Sequence, residues 1–195
     1  MATIDVEAHF SPDAWVEIQL LDDATKFNAT VDIDSFEEAG FEREIEYRNF
    51  FHNAKVAIKK TQNDGTLTMN ARLRRADWLK MLHGTGTVET DGTGSITSGG
   101  NQEDYRIIFL VTEDPAVTTA SDAVGSYDAY RAIYAGCKAT EFTVTLEADG
   151  MIEGQIMFAV SPYDQFGDPN IRYDIQNEGL GSVDDYTSSY KFDAL

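Results

Sequence analysis

The sequence predicts a mainly β domain with one short helix, and three observations predict it. Apolar and polar residues alternate with period two in tract after tract; the tracts are rich in β-branched and aromatic side chains; and Gly, Asp and Asn punctuate them. A helical period is found between Arg74 and Leu82 alone.

Taken in order, Trp15 to Leu20 and Phe27 to Asp34 alternate as half-buried strands, the second with Ala29, Val31 and Ile33 against Thr30, Asp32 and Asp34. A mixed segment follows from Phe36 to Asn53, in which Phe41, Arg43, Ile45 and Tyr47 alternate with Glu42, Glu44 and Glu46, so that three carboxylates share one strand face. Lys55 to Lys59 and Thr66 to Ala71 flank Asn63-Asp64-Gly65, residues that tolerate the positive φ of a tight turn, and are expected to form a hairpin. Trp78, Leu79, Met81 and Leu82 then fall near helical spacing, with Gly84 available to close the helix. Gly, Thr and Ser dominate residues 84 to 100 and predict a flexible surface loop. Tyr105 to Val111 reads as a strand, and Thr112 to Ser126 as a polar connection. The clearest hairpin joins Phe142, Val144 and Leu146 to Ile152, Ile156, Phe158 and Val160 across Asp149-Gly150. After Pro162 the periodicity fades, leaving Ile171, Tyr173, Tyr186, Tyr190 and Phe192 as anchors of an extended arm. The organisation expected is a β-rich domain over 1–162, with long loops at 36–53 and 84–104, and a C-terminal arm or extension over 163–195.

The length of 195 residues suits one domain with a sizeable core, and 42% hydrophobic residues argue against disorder throughout. Against 15 Lys and Arg stand 34 Asp and Glu, a net charge of −19. Such a surface repels nucleic-acid phosphates and anionic headgroups. No apolar run approaches the roughly 20 residues of a membrane-spanning helix, so no membrane partner is expected. The first residues lack the basic and apolar regions of a secretory signal, which points to synthesis in the cytoplasm. The charge is uneven: nine of the basic residues lie between Arg43 and Lys80, whereas residues 81–195 carry 5 basic and 19 acidic side chains. High acid content with only 7 lysines fits adaptation to concentrated salt, which screens the mutual repulsion.

Catalytic chemistry finds little support. There is no G-x-S-x-G elbow, and His9, His52 and His83 are scattered without metal-ligand spacing. The single cysteine, Cys137, excludes an internal disulfide and reads as a small buried residue beside a strand. Neither Gly84-Thr85-Gly86 nor Gly92-Thr93-Gly94 completes a phosphate loop, and Asp164 to Asn170 departs from the EF-hand pattern and reads as a turn. Catalytic residues, metal and cofactors are therefore expected to be none. Asn28-Ala29-Thr30 forms an acceptor sequon from which no site follows.

The tracts Gly65-Thr66-Leu67-Thr68-Met69-Asn70-Ala71-Arg72-Leu73 leading into Trp78-Leu79-Lys80-Met81-Leu82, and Cys137 to Leu146 with Met151 to Phe158, resemble the major tail tube proteins of long-tailed, siphovirus-like viruses. The resemblance implies a β-sandwich or partly closed barrel with a flanking helix. It also implies self-assembly into stacked, usually hexameric rings, contact with other tail proteins, and a conduit through which DNA passes during ejection without specific binding. The place of action would be the virion tail, and the acidity suits a virus of a salt-loving host. On this reading Glu42, Glu44 and Glu46, or Glu141, Glu147 and Glu153, line the lumen and repel DNA. Phe36, Phe41, Phe50 and Phe51 supply ring-to-ring contact, and Lys59, Lys60, Arg72, Arg74 and Arg75 meet an acidic neighbour. For each set an ordinary solvated face or core position is the plain alternative. Rival functions are a halophilic binding or adaptor module, another virion component such as a tail completion or decoration protein, and an enzyme holding a divalent metal near Asp164 to Asn170.

Overall fold

The computed structural model of the chain describes residues 14–24, 26–41, 43–49, 55–72, 78, 81, 84–88, 94–98, 103–146, 152–176 and 179–192, with only the backbone course given for 43–49, 55–62, 84–88, 94–98 and 146. Among the described residues twelve strands are formed: β1 (Ala14–Leu20), β2 (Lys26–Asn28), β3 (Ile33–Ala39), β4 (Arg43–Asn49), β5 (Lys55–Gln62), β6 (Gly65–Arg72), β7 (Gly84–Val88), β8 (Gly94–Ser98), β9 (Tyr105–Thr112), β10 (Ala129–Leu146), β11 (Ile152–Val160) and β12 (Ile171–Gln176). Eight of them make one antiparallel sheet in the order β2-β1-β9-β10-β11-β6-β3, with β12 also on β10. The sheet does not close on itself.

β10 organises this sheet because its two halves have different neighbours. Residues 129–134 pair with β9 and β12, whereas 138–146 pair with β11. Between them the register to β9 shifts, and Gly136 adopts φ +64°, a backbone state that favours glycine. The strand thus passes from a first wing (β2-β1-β9-β10-β12) to a second (β10-β11-β6-β3). The wings face each other across the main core: Val16, Ile18, Ile107 and Tyr134 from the first meet Leu67, Met69, Ile156 and Phe158 from the second. Phe36 stacks on Phe109 with ring centroids 5.2 Å apart, tying β3 to β9.

Alternation sets the inner faces. Along β6, Leu67, Met69 and Ala71 are buried while Thr66, Thr68, Asn70 and Arg72 are not, the period-two pattern expected of a strand with one solvated face. β9 departs from it, with only Phe109 and Val111 less than buried, because the first wing is covered on both faces. On its outer face Ile108, Leu110, Ala129 and Ile133 pack beneath Val117, Ala120 and Val124 of the 113–128 connection and Leu180 and Val183 of the C-terminal segment. Trp78 and Met81 are helical and buried in the main core, with Phe27 edge-on to Trp78 at 4.9 Å; the rest of the predicted helix at 74–82 lies outside the described residues.

Three expectations differ from this arrangement. The hairpin predicted between 55–59 and 66–71 does not form: β5 pairs with β4 in a separate two-stranded sheet, and β6 pairs with β11 and β3. The Asn63-Asp64-Gly65 turn links two sheets, since the apolar side of β6 is taken up by Ile156 and Phe158. Within the segments 36–53 and 84–104 expected as loops, β4 and the β7–β8 hairpin are strands. Residues 163–176 and 179–192, assigned to an arm, lie back on the sheet: β12 joins β10, and Leu180, Val183 and Tyr186 are buried.

Candidate assembly surface

The outer face of the second wing is polar, and among the described residues nothing covers it. The register places Ser35, Asn70, Gln155 and Thr143 in one row across β3, β6, β11 and β10. Along it the Asn70 Nδ2 donates to Ser35 Oγ at 2.7 Å, and Gln155 Nε2 donates to Asn70 Oδ1 at 3.1 Å. Arg72 pairs with Asp34 at 3.3 Å, and both side chains remain largely solvated, so that this bridge adds little stability. Asp34, Asn70, Thr143, Thr145, Glu153 and Gln155 border an open polar groove of about 360 Å³. Glu37 and Glu141 add exposed carboxylates beyond it. Among the described residues β3 pairs only with β6, and 138–146 pairs only with β11, leaving an open edge on each side of this wing.

Glu38 links β3 to the other wing. Its carboxylate accepts from the Tyr134 and Tyr173 hydroxyls, each at 2.5 Å, and Tyr130 stacks on Tyr173 at 6.4 Å. Burial first, then the hydrogen bond to Glu38, push the Tyr134 and Tyr173 hydroxyls well above the ordinary phenol range, so both remain donors. Tyr134 is fully buried and Tyr173 is 46% exposed, which separates their contributions. Tyr134→Phe is expected to lower unfolding stability by about 1.5 kcal/mol in urea titrations, and Tyr173→Phe by less than about 1 kcal/mol, because water replaces its partner. Equal and negligible effects would show that the clasp does not hold the wings.

On the outer face of the first wing, charged groups are buried and used structurally. Glu17 accepts from Ser121 Oγ at 2.9 Å. Arg106 donates to Gln19 Oε1 at 2.7 Å and to the carbonyl oxygen of Asp184 at 2.6 Å, and it lies over the Tyr186 ring. Arg131 donates to the Gly181 carbonyl at 2.6 Å and to that of Asp122. Two arginines of the sheet therefore hold the C-terminal segment through its main chain. That use of arginine, with several donors in a fixed fork, carries no sequence signature at the receiving carbonyls.

The residues singled out in the sequence fall in separate places. Glu141 and Glu153 are on the polar wing, Glu141 exposed and Glu153 half-buried. Glu44 and Glu46 are on β4, which belongs to the detached β4–β5 sheet; Glu42 and Glu147 lie outside the described residues. Phe36 and Phe41 pack against the main core, while Phe50 and Phe51 are outside the described residues. Lys59 and Lys60 are on β5 and Arg72 ends β6, with Arg74 and Arg75 outside the described residues. Cys137 is fully buried with its thiol pushed up by desolvation, which makes it a poor nucleophile. Asp164 acts as a turn residue: its Oδ1 accepts from the N–H groups of Phe166 and Asp168 at 2.8 and 2.9 Å, and its Oδ2 from Lys191 Nζ at 2.6 Å. The Lys191 hydrogen bond holds its carboxyl down to about 2. Among the described residues no group of three or more His, Cys, Asp or Glu is placed to hold a metal ion, and no helix is long and apolar enough to cross a membrane.

No protein family and no curated protein matches the chain. Among solved structures, a chain of the sheath–tube complex of an extracellular contractile injection system, PVC, in its extended state is similar at 9% identity and TM-score 0.48, with 90% of this chain and 98% of that one covered. The sheath/tube terminator of the same system is similar at 9% identity and TM-score 0.46, covering 83% and 92%. A chain of the baseplate of the anti-feeding prophage AFP is similar at 10% identity and TM-score 0.45, covering 93% and 98%. At these levels no family is assigned.

Proposed function

We propose that this protein is a tail tube subunit of a long-tailed virus, closing into rings that stack as a conduit for DNA. The observation that carries the reading is the second wing: four antiparallel strands with an exposed polar face and, among the described residues, an open edge on each side. Direction alternates from 138–146 through β11 and β6 to β3. The β3 edge of one subunit therefore meets the 138–146 edge of the next in the same antiparallel sense as the internal pairs. A lateral contact of this head-to-tail kind closes into a ring when the rotation per subunit allows. Ring closure also removes the open edges that would otherwise promote uncontrolled strand pairing.

The polar face, with Glu37, Glu141 and Glu153, would line the lumen. Phosphate affinity comes from Lys and Arg, so a face poor in them lets DNA slide. The β4–β5 and β7–β8 hairpins support the same reading, because two-stranded sheets are marginal in water and gain from a neighbouring surface. The protein's role is mechanical, in the virion tail after synthesis in the host cytoplasm, with other tail proteins as further partners. Its net charge of −19 suits a host living in concentrated salt. Negative-stain electron microscopy in molar salt, and again after dilution, tests this: rings or tubes of uniform diameter are expected. A strictly monomeric particle at every salt and protein concentration would overturn it in favour of the adaptor module.

A further inference from the structure

The second wing lies across the strands of the first, and two aromatic contacts measure the step. Phe158 of β11 packs edge-on against Tyr105 with ring centroids 6.2 Å apart, and Phe36 of β3, two strands further along the wing, stacks on Phe109. Two strand spacings thus advance four residues along β9, so the next advances two, to Val111. Val111 is level with Tyr130 of β10, and Tyr130 with Ile175 of β12. Among the described residues no strand covers this row, because β3 is the last of its wing. What remains there is apolar: Ile175 is 49% exposed, Tyr173 shares its face on β12, and Val111 and Tyr130 are half-buried.

The opposite edge of the same wing carries a counterpart. Phe142 packs against the main core, so Val144, two residues on, faces the same way, and so does Ile152, four residues before the buried Ile156. Val144 is 49% exposed and Ile152 is 43% exposed, apolar side chains on the inner face where the β10–β11 hairpin runs past the core.

We infer that the hairpin end carrying Val144 and Ile152 seats on the Tyr130, Tyr173 and Ile175 row of a second copy of this chain. The inference rests on the tail tube reading and names what its lateral contact buries. A 138–146 edge that joins the β3 edge of the next subunit takes the place of a strand after β3. Its inner face then lies over the uncovered row, and the pairing that extends the sheet covers both apolar patches at once. Two different patches on the two sides of one contact make a head-to-tail interface. Apolar burial also suits concentrated salt: at molar salt screening reaches within about 3 Å, whereas excluded salts strengthen the burial of apolar surface.

Val144→Lys and Ile175→Lys each alter an exposed side chain and are expected to leave the unfolding midpoint unchanged. Each alone should raise the protein concentration needed for rings about tenfold or more, read by sedimentation velocity and negative stain. Val144→Thr, which keeps a β-branched side chain on the strand, should act in the same direction with a smaller shift. An equimolar mixture of the two lysine variants retains one intact junction, Val144 of the Ile175→Lys subunit on Ile175 of the Val144→Lys subunit, and should therefore form dimers and nothing larger. Rings that form from either lysine variant as readily as from the parent, or a mixture that associates no more than its components, would overturn the contact while leaving ring formation standing. Absence of rings from the unaltered protein would overturn both readings.

Discussion

Gly179→Ala lowers the midpoint of thermal unfolding by about 6–12 °C, the shift that roughly 3 kcal/mol produces in a domain of this size. Gly179 has φ +91°, where an L side chain is strained by roughly 1–2 kcal/mol. A Cβ there would also lie 2.2 Å from the Gly125 carbonyl oxygen and 2.6 Å from that of Val124. Both obstacles are backbone, and neither can withdraw without breaking the paired hydrogen bonds of 2.9 and 3.1 Å between Val124 and Leu180. Each such bond contributes about 1 kcal/mol net. Its loss would lift Leu180 and Val183 from the second core and take the carbonyl of Gly181 from Arg131. A second readout follows: limited proteolysis should cut within 179–192 in the variant and spare it in the parent. An unchanged midpoint with unchanged protection would show that this segment contributes nothing to the fold.

The largest expected effect on function comes from reversing charge on the polar wing. Glu141→Lys with Gln155→Lys places two cations per subunit on that face, at exposed positions where surface substitutions change stability by about 0.5 kcal/mol or less. Glu153 is avoided because it faces Arg72 across β11 and β6, and a lysine there would set like charges opposite each other. Assembled tubes of the parent are expected to release labelled duplex DNA freely. Those of the double variant should retain it at low salt, in the range of about 10⁻⁴ to 10⁻⁶ M typical of non-specific binding, and lose it steeply as salt rises. Tubes that assemble normally yet retain no DNA would place this face away from the lumen.

Several parts of the fold are legible in the residues alone. The β10–β11 hairpin is one, because Phe142 and Ile156 pair in the register that alternation requires and the turn residues lie between. The plain role of Cys137, a small buried residue, is another, although it lies within β10 and not beside a strand. The assembly surface is legible only in part. Glu141 and Glu153 can be placed on one face of their strands, but the row from Ser35 to Thr143 needs four strands in order, and two of them are far apart in sequence.

The sequence by itself determined that the chain is mainly β and which side of β6 and β11 goes inward, and it marked β1, β6, β9 and the 142–160 hairpin as strands, whereas β4, β7, β8 and β12 read as loop or arm. Only the tertiary structure decided the partners. A period of two records that one face is buried, not by which strand, so the β5–β6 turn reads as a hairpin although its strands belong to different sheets. The C-terminal segment reads as an arm for the same physical reason. Its hold on the sheet comes from Arg106 and Arg131 reaching its main-chain carbonyls and from scattered apolar contacts, and every residue has a carbonyl.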